Sequence, residues 1–106
     1  PGVAREWIIT AEMYDASEAH RVGVVNRLYE PADLMDGTRK MAEGILARGP
    51  IAVRAALEAI RRGMQMSQEE GSRIEADLFG LVSSSEDKAE GMAAFLEKRK
   101  PEFKDR

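Results

Sequence analysis

The sequence predicts an all-α fold with one short extended segment near residues 24–29. Three observations predict it. Apolar residues recur at spacings of three and four through most of the chain. Helix starts are marked by Asp15 with Glu18 and by Ser67 with Glu70, each an N-cap residue followed three positions later by glutamate. Only Val24-Val25-Asn26-Arg27-Leu28-Tyr29 is rich in branched and aromatic residues without a helical period. With no second strand in the sequence, that run stays irregular or pairs with something outside the chain.

Each element follows from its own residues. Val3, Trp7, Ile8 and Met13 are loosely periodic, like the tail of a helix whose start lies elsewhere. Asp15 opens a short helix that Gly23 ends, since a left-handed residue is wanted there. Pro31 suits the first turn of the next helix, whose stripe runs Leu34, Thr38, Met41 and Ile45. Gly49-Pro50 breaks it, and a further stripe runs Val53, Leu57, Ile60 and Met64. Ile74, Leu78, Leu81 and Val82 form the stripe of the helix that Ser67 caps. Ser84-Ser85-Glu86-Asp87 supplies one more N-terminus with acids at the favourable end of the dipole. The last helix buries Ala89, Met92, Ala93 and Leu96 and stops before Pro101. Connections this short make consecutive helices neighbours in one bundle. Three of the stripes are wide enough to need partners on more than one side, which a further domain or an oligomer would supply.

Composition excludes several classes. The 106 residues carry 16 Lys+Arg against 19 Asp+Glu, a net charge of −3, with 43% apolar and 33% charged residues. That is a globular, non-membrane composition, and it lacks the basic excess of a nucleic-acid binder. Zero cysteines exclude disulfides, thiolate zinc and a cysteine nucleophile, and fit a cytoplasmic setting. One histidine, His20, leaves little scope for a metal site or a triad; its plain reading is a surface position. Trp7 and the six methionines read as packing. Glu69-Glu70 and Glu86-Asp87 read as dipole-matched acids, and Arg61-Arg62 as a solvated face.

One constellation stands apart. Projected at about 100° per residue from Ala89, the arc of Ala89, Met92, Ala93 and Leu96 falls at about 0°, 300°, 40° and 340°. Phe95 falls outside it at about 240°, between Lys88 at about 260° and Lys98 at about 180°, with Gly91 at about 200°. An off-core ring between two ammonium groups, over a glycine that leaves room, suits a stacked adenine with a phosphate held by lysine. It also suits packing of Phe95 on another subunit, and geometry alone gives that second use the greater weight.

The motifs resemble a known family. Ile9-Thr10-Ala11, Ala16-Ser17-Glu18-Ala19, Gly23-Val24-Val25-Asn26 and the block Ser85-Glu86-Asp87 through Glu90-Gly91-Met92-Ala93-Ala94-Phe95-Leu96-Glu97-Lys98-Arg99-Lys100-Pro101 resemble the enoyl-CoA hydratase/isomerase (crotonase) superfamily. Ala11 stands where a glycine often follows the Thr, a mild departure at a helix end. The resemblance implies that residues 1–106 form the compact C-terminal helical domain of a crotonase-type fold, the part that drives subunit association and covers CoA. It implies that the oxyanion-hole amides and two acid/base glutamates belong to an N-terminal spiral domain, so no catalytic residue is expected among these 106. Phe95 and Lys98 match positions that touch the adenine and phosphate of CoA. The implied parent adds water to 2-enoyl-CoA thioesters in fatty acid metabolism. Its partners are an acyl-CoA thioester and further copies of itself, a trimer or dimer of trimers; coenzyme A enters only as part of the substrate, and no separate cofactor or metal is expected. The competing expectation is a free-standing helical oligomerisation module without activity, which would have no reason to carry the block around Phe95.

Overall fold

The computed structural model describes residues 2–106, and its described residues form six helices and no strand. They are α1 (Gly2–Thr10), α2 (Ala16–Arg21), α3 (Leu34–Leu46), α4 (Pro50–Gly63), α5 (Gln68–Ser83) and α6 (Glu86–Glu97). The all-α expectation holds, and residues 24–29 are irregular as one of the two alternatives required. The chain divides into two compact units, Pro1–Lys40 and Met41–Arg106.

In the first unit, Trp7 stacks on Tyr14 with ring centroids 4.3 Å apart and planes 11° from parallel. This face-on pair closes the chain beyond α1, where Ala11 takes a left-handed φ of 51°. Asp15 caps α2 as expected, accepting from the Glu18 N–H at 2.8 Å. The reciprocal half of the capping box is absent, because the Glu18 carboxylate pairs with Arg21 instead. Gly23 ends α2 with φ 80°. Pro31 does not sit in the first turn of α3. It lies in a turn that precedes Leu34, with Asp33 N–H donating to the Glu30 carbonyl. The Tyr29 ring lies against Gly37 in α3, where it would meet any Cβ.

In the second unit, α4 and α5 pack as an antiparallel hairpin through small residues. Ala52, Ala55, Ala56 and Ala59 line an open apolar groove with Leu78, Phe79 and Val82, and a Cβ added at Gly71 would meet the Gly63 backbone at ordinary contact distance. The sequence stripe of α5 points inward at Ile74, Leu78 and Val82, which are half-buried. That of α4 is half-buried only at Val53: Leu57, Ile60 and Met64 are exposed, and alanines line the groove beside α5. Alanine lets two backbones approach closely, so the wide apolar stripe is left for other contacts.

The buried arc expected on α6 is also corrected. Met92 and Leu96 are exposed, and the buried positions are Asp87 and Ala94, on the opposite side of the helix. That side carries the segment Arg99–Arg106, which folds back along α6. Its Phe103 ring lies against both Gly49 and Gly91. The room expected beside Gly91 is therefore filled by the chain's own phenylalanine. Periodicity could not show this, because the occupant has no periodicity of its own.

Candidate functional site

α6 begins at Ser85, whose hydroxyl accepts from the Lys88 N–H at 3.1 Å, with Glu86 and Asp87 in the first turn. It ends in a two-bond cap. The Lys98 N–H donates to the Phe95 carbonyl at 3.3 Å and the Arg99 N–H to the Ala94 carbonyl at 3.0 Å. This is the pattern of a Schellman motif, with Lys98 in the left-handed position at φ 55°, ψ 35°. Lys98 is therefore not on the helical face where the projection put it.

Phe95 stands out from α6 with 80% of its surface exposed, and Lys98 is exposed one turn further on. The structure thus places the two predicted residues at one end of one helix. Carbonyls at a helix C-terminus carry partial negative charge, which favours an ammonium there. Among the described residues, neither Lys88 nor Lys98 takes part in an ion pair. An open ring and an unengaged cation one turn apart can hold a flat heteroaromatic with an attached anion.

The carboxylates of α6 are engaged. Glu90 takes both Arg99 Nη1 and Nη2, at 2.6 and 2.9 Å, and the Glu102 N–H at 2.7 Å. The guanidinium and the amide hold its carboxyl well below the usual carboxylate range, at about 2. Asp87, 5% exposed, accepts from the Lys104 N–H at 2.6 Å and the Asp105 N–H at 2.9 Å. With donors on both oxygens, neither acid is free to act as a general base. Sequence reasoning placed Asp87 correctly in the first turn of the helix but missed the contacts that both acids make with the returning chain. The signal existed only as pairs separated by nine or more residues, Glu90 with Arg99 and Asp87 with Lys104, which no local motif marks.

The remaining candidates behave locally. His20 is exposed at the end of α2. Glu70 completes the capping box with Ser67, and Glu69 pairs with Arg73. Arg61 and Arg62 both pair with Glu58. Among the described residues, no group of three metal-ligating side chains could hold an ion, and no helix is long and apolar enough to cross a membrane.

The sequence profile described as Enoyl-CoA hydratase/isomerase matches residues 1–106. The chain belongs to that family, within the crotonase superfamily. A curated relative from Syntrophomonas wolfei, named crotonyl-CoA hydratase, is 44% identical over 103 residues, 97% of this chain and 40% of its own length. A short-chain-enoyl-CoA hydratase of Clostridium acetobutylicum is 42% identical over 106 residues, covering 99% of this chain and 41% of the relative. The crystal structure of an enoyl-CoA hydratase from Bacillus anthracis superimposes with a TM-score of 0.97 at 37% identity, over 100% of this chain and 41% of that one. The chain thus spans about two-fifths of the length of these crotonase-superfamily relatives.

Proposed function

We propose that this chain is the C-terminal helical domain of an enzyme that adds water to 2-enoyl-CoA thioesters, and that it supplies subunit contacts and part of the CoA site. The observation that carries the CoA role is the pairing of an 80% exposed Phe95 with an exposed Lys98 at the end of α6. The names of the relatives support a hydratase over other chemistry of the family. Phe95 stacks on the adenine, and the Lys98 ammonium pairs with the 3′-phosphate. The chain's own residues bind and orient; they do not move the reacting proton. Addition of water through a thioester enolate needs preorganised N–H donors on the thioester oxygen and an acid/base pair, and no carboxylate here matches those family positions. The 106-residue chain by itself is therefore expected to leave crotonyl-CoA unchanged. Turnover above the buffer rate would contradict the assignment.

The test of the site uses an enzyme that carries this helical part. Lys98→Ala is expected to raise KM for enoyl-CoA about tenfold with kcat little changed, as a partly exposed charge-assisted contact is worth roughly 1–2 kcal/mol. A phosphate remote from the reacting carbons is held equally in ground and transition states, so its loss is a uniform loss of binding. The dephospho-CoA thioester lacks that phosphate and is expected to be indifferent to the same substitution. Phe95→Ala is expected to weaken both substrates alike. Equal penalties from Lys98→Ala on the two substrates would reduce Lys98 to a solvated lysine.

A further inference from the structure

Lys98 occupies a backbone position that glycine fills at least cost. A side chain in the left-handed region clashes with its own backbone, and such a residue persists only where its surroundings over-determine it. Here the surroundings are specific. The Arg99 guanidinium reaches back past Lys98 to Glu97, with Nε donating at 2.6 Å, while its two terminal nitrogens grip Glu90. The residues on either side of Lys98 are thereby tied to each other and to the preceding turns of α6. The Glu90 carboxylate also holds the Glu102 N–H, and Asp87 holds the amides of Lys104 and Asp105 and donates its own N–H to the Arg106 carbonyl at 2.9 Å. Arg54 of α4 pairs with Asp105, and Phe103 is seated between Gly49 and Gly91. The returning segment is a strap, and its first anchor is the contact that bounds Lys98.

We infer that Glu90 and Arg99 are positioning residues for Lys98: their bidentate pair closes the reversal after α6 and holds Lys98 left-handed, with its side chain exposed. What Lys98 is held for rests on the CoA reading above; that it is held by this pair does not. A lysine kept where glycine would be more stable fits a position whose side chain is used.

The experiment follows Lys98 in the isotope-labelled 106-residue chain by its HN–Hα coupling and backbone 13C shifts, which report a positive φ. Glu90→Gln and, separately, Arg99→Lys are expected to abolish that signature, because each removes the two-pronged contact. Arg99→Lys keeps the charge, so its effect reads the loss of the directed guanidinium bonds to Glu90 and Glu97. A thermal cycle gives an independent measure. Lys98→Gly is expected to raise Tm by about 4–8 °C. In the Lys98→Gly background, Glu90→Gln is expected to lower Tm by less than it does in the parent chain, since glycine needs no holding. Persistence of the positive-φ signature in both variants, or equal Tm losses in both backgrounds, would overturn the assignment. Coupling between Glu90 and Lys98 together with a CoA affinity that Lys98→Ala leaves unchanged supports the clasp and counts against the CoA reading alone.

Discussion

Ala11, Gly37 and Lys98 show how much one residue's backbone decides. Ala11 follows Thr10 with φ 51°, the left-handed end of α1, and that is why a glycine suits the position. Ala11→Gly is expected to stabilise the chain by roughly 0.5–1 kcal/mol, read as a higher Tm, because the strain relieved outweighs the freedom added to the unfolded chain. Gly37 is the opposite case. A Cβ there would overlap the edge of the Tyr29 ring, so Gly37→Ala is expected to destabilise by about 1–3 kcal/mol in urea unfolding. Tyr29→Ala combined with Gly37→Ala removes the clash and should recover that part of the loss. The departure at Ala11 was legible in the sequence. The need for glycine at 37 was not, since it depends on a ring eight residues away.

At the scale of elements, caps were the most legible feature. Ser67 and Glu70 make both bonds of a capping box: the Ser67 hydroxyl accepts from the Glu70 N–H at 3.3 Å, and Glu70 accepts from the Ser67 N–H at 3.0 Å. Ser67→Ala is expected to cost about 1 kcal/mol, with loss of amide protection confined to the first turn of α5. The element after α6 gives a pH prediction. Glu90 faces Arg99 and Lys104 and lies near Glu97, Asp87 and Glu102; its pKa falls from 4.5 to about 2, first through the Arg99 hydrogen bonds and then through the Glu102 N–H. A carboxyl whose folded pKa is depressed contributes stability that is fully present above about 4.5 and is lost as pH falls toward about 2. Other lowered carboxylates, Glu18, Glu58, Glu70 and Asp105, act with the same sign. The decisive observable is therefore a difference. Glu90→Gln is expected to flatten the acid limb of Tm against pH between those values, and an unchanged limb would contradict the role of Glu90. Apart from the start of α3, helix boundaries followed from local chemistry, but the inward faces of α4 and α6 did not. On α4, alanines line the groove beside the partner helix, while on α6 two acids and an alanine face a strap.

For the molecule as a whole, surface apolarity is the leading property. Among the described residues only Ala94 is a buried hydrophobic, while Leu57, Ile60, Met64, Phe79, Leu81 and Leu96 are each more than 60% exposed. Patches of that kind seek cover, and the 11.8 kDa chain alone is expected to self-associate. Sedimentation equilibrium giving a monomer at every concentration would contradict this. Six helical segments, the caps at Asp15, Ser67 and Ser85, the irregular run at 24–29 and the family were legible in neighbouring residues and fixed spacings, while the start of α3 was not. The sequence also singled out Phe95 and Lys98, as an aromatic off the expected stripe and a nearby cation. That Lys98 is a left-handed cap rather than a helical position, and that the space beside Gly91 belongs to Phe103, emerged from the folded chain. It alone showed that Asp87 and Glu90 bind the returning chain. The contacts of Phe103, Asp87 and Glu90 join residues nine or more positions apart through a segment without regular structure, and no period of 3.6 or 2 encodes such a return; the Lys98 cap is a local reversal that a projection assuming continuous helix overlooks.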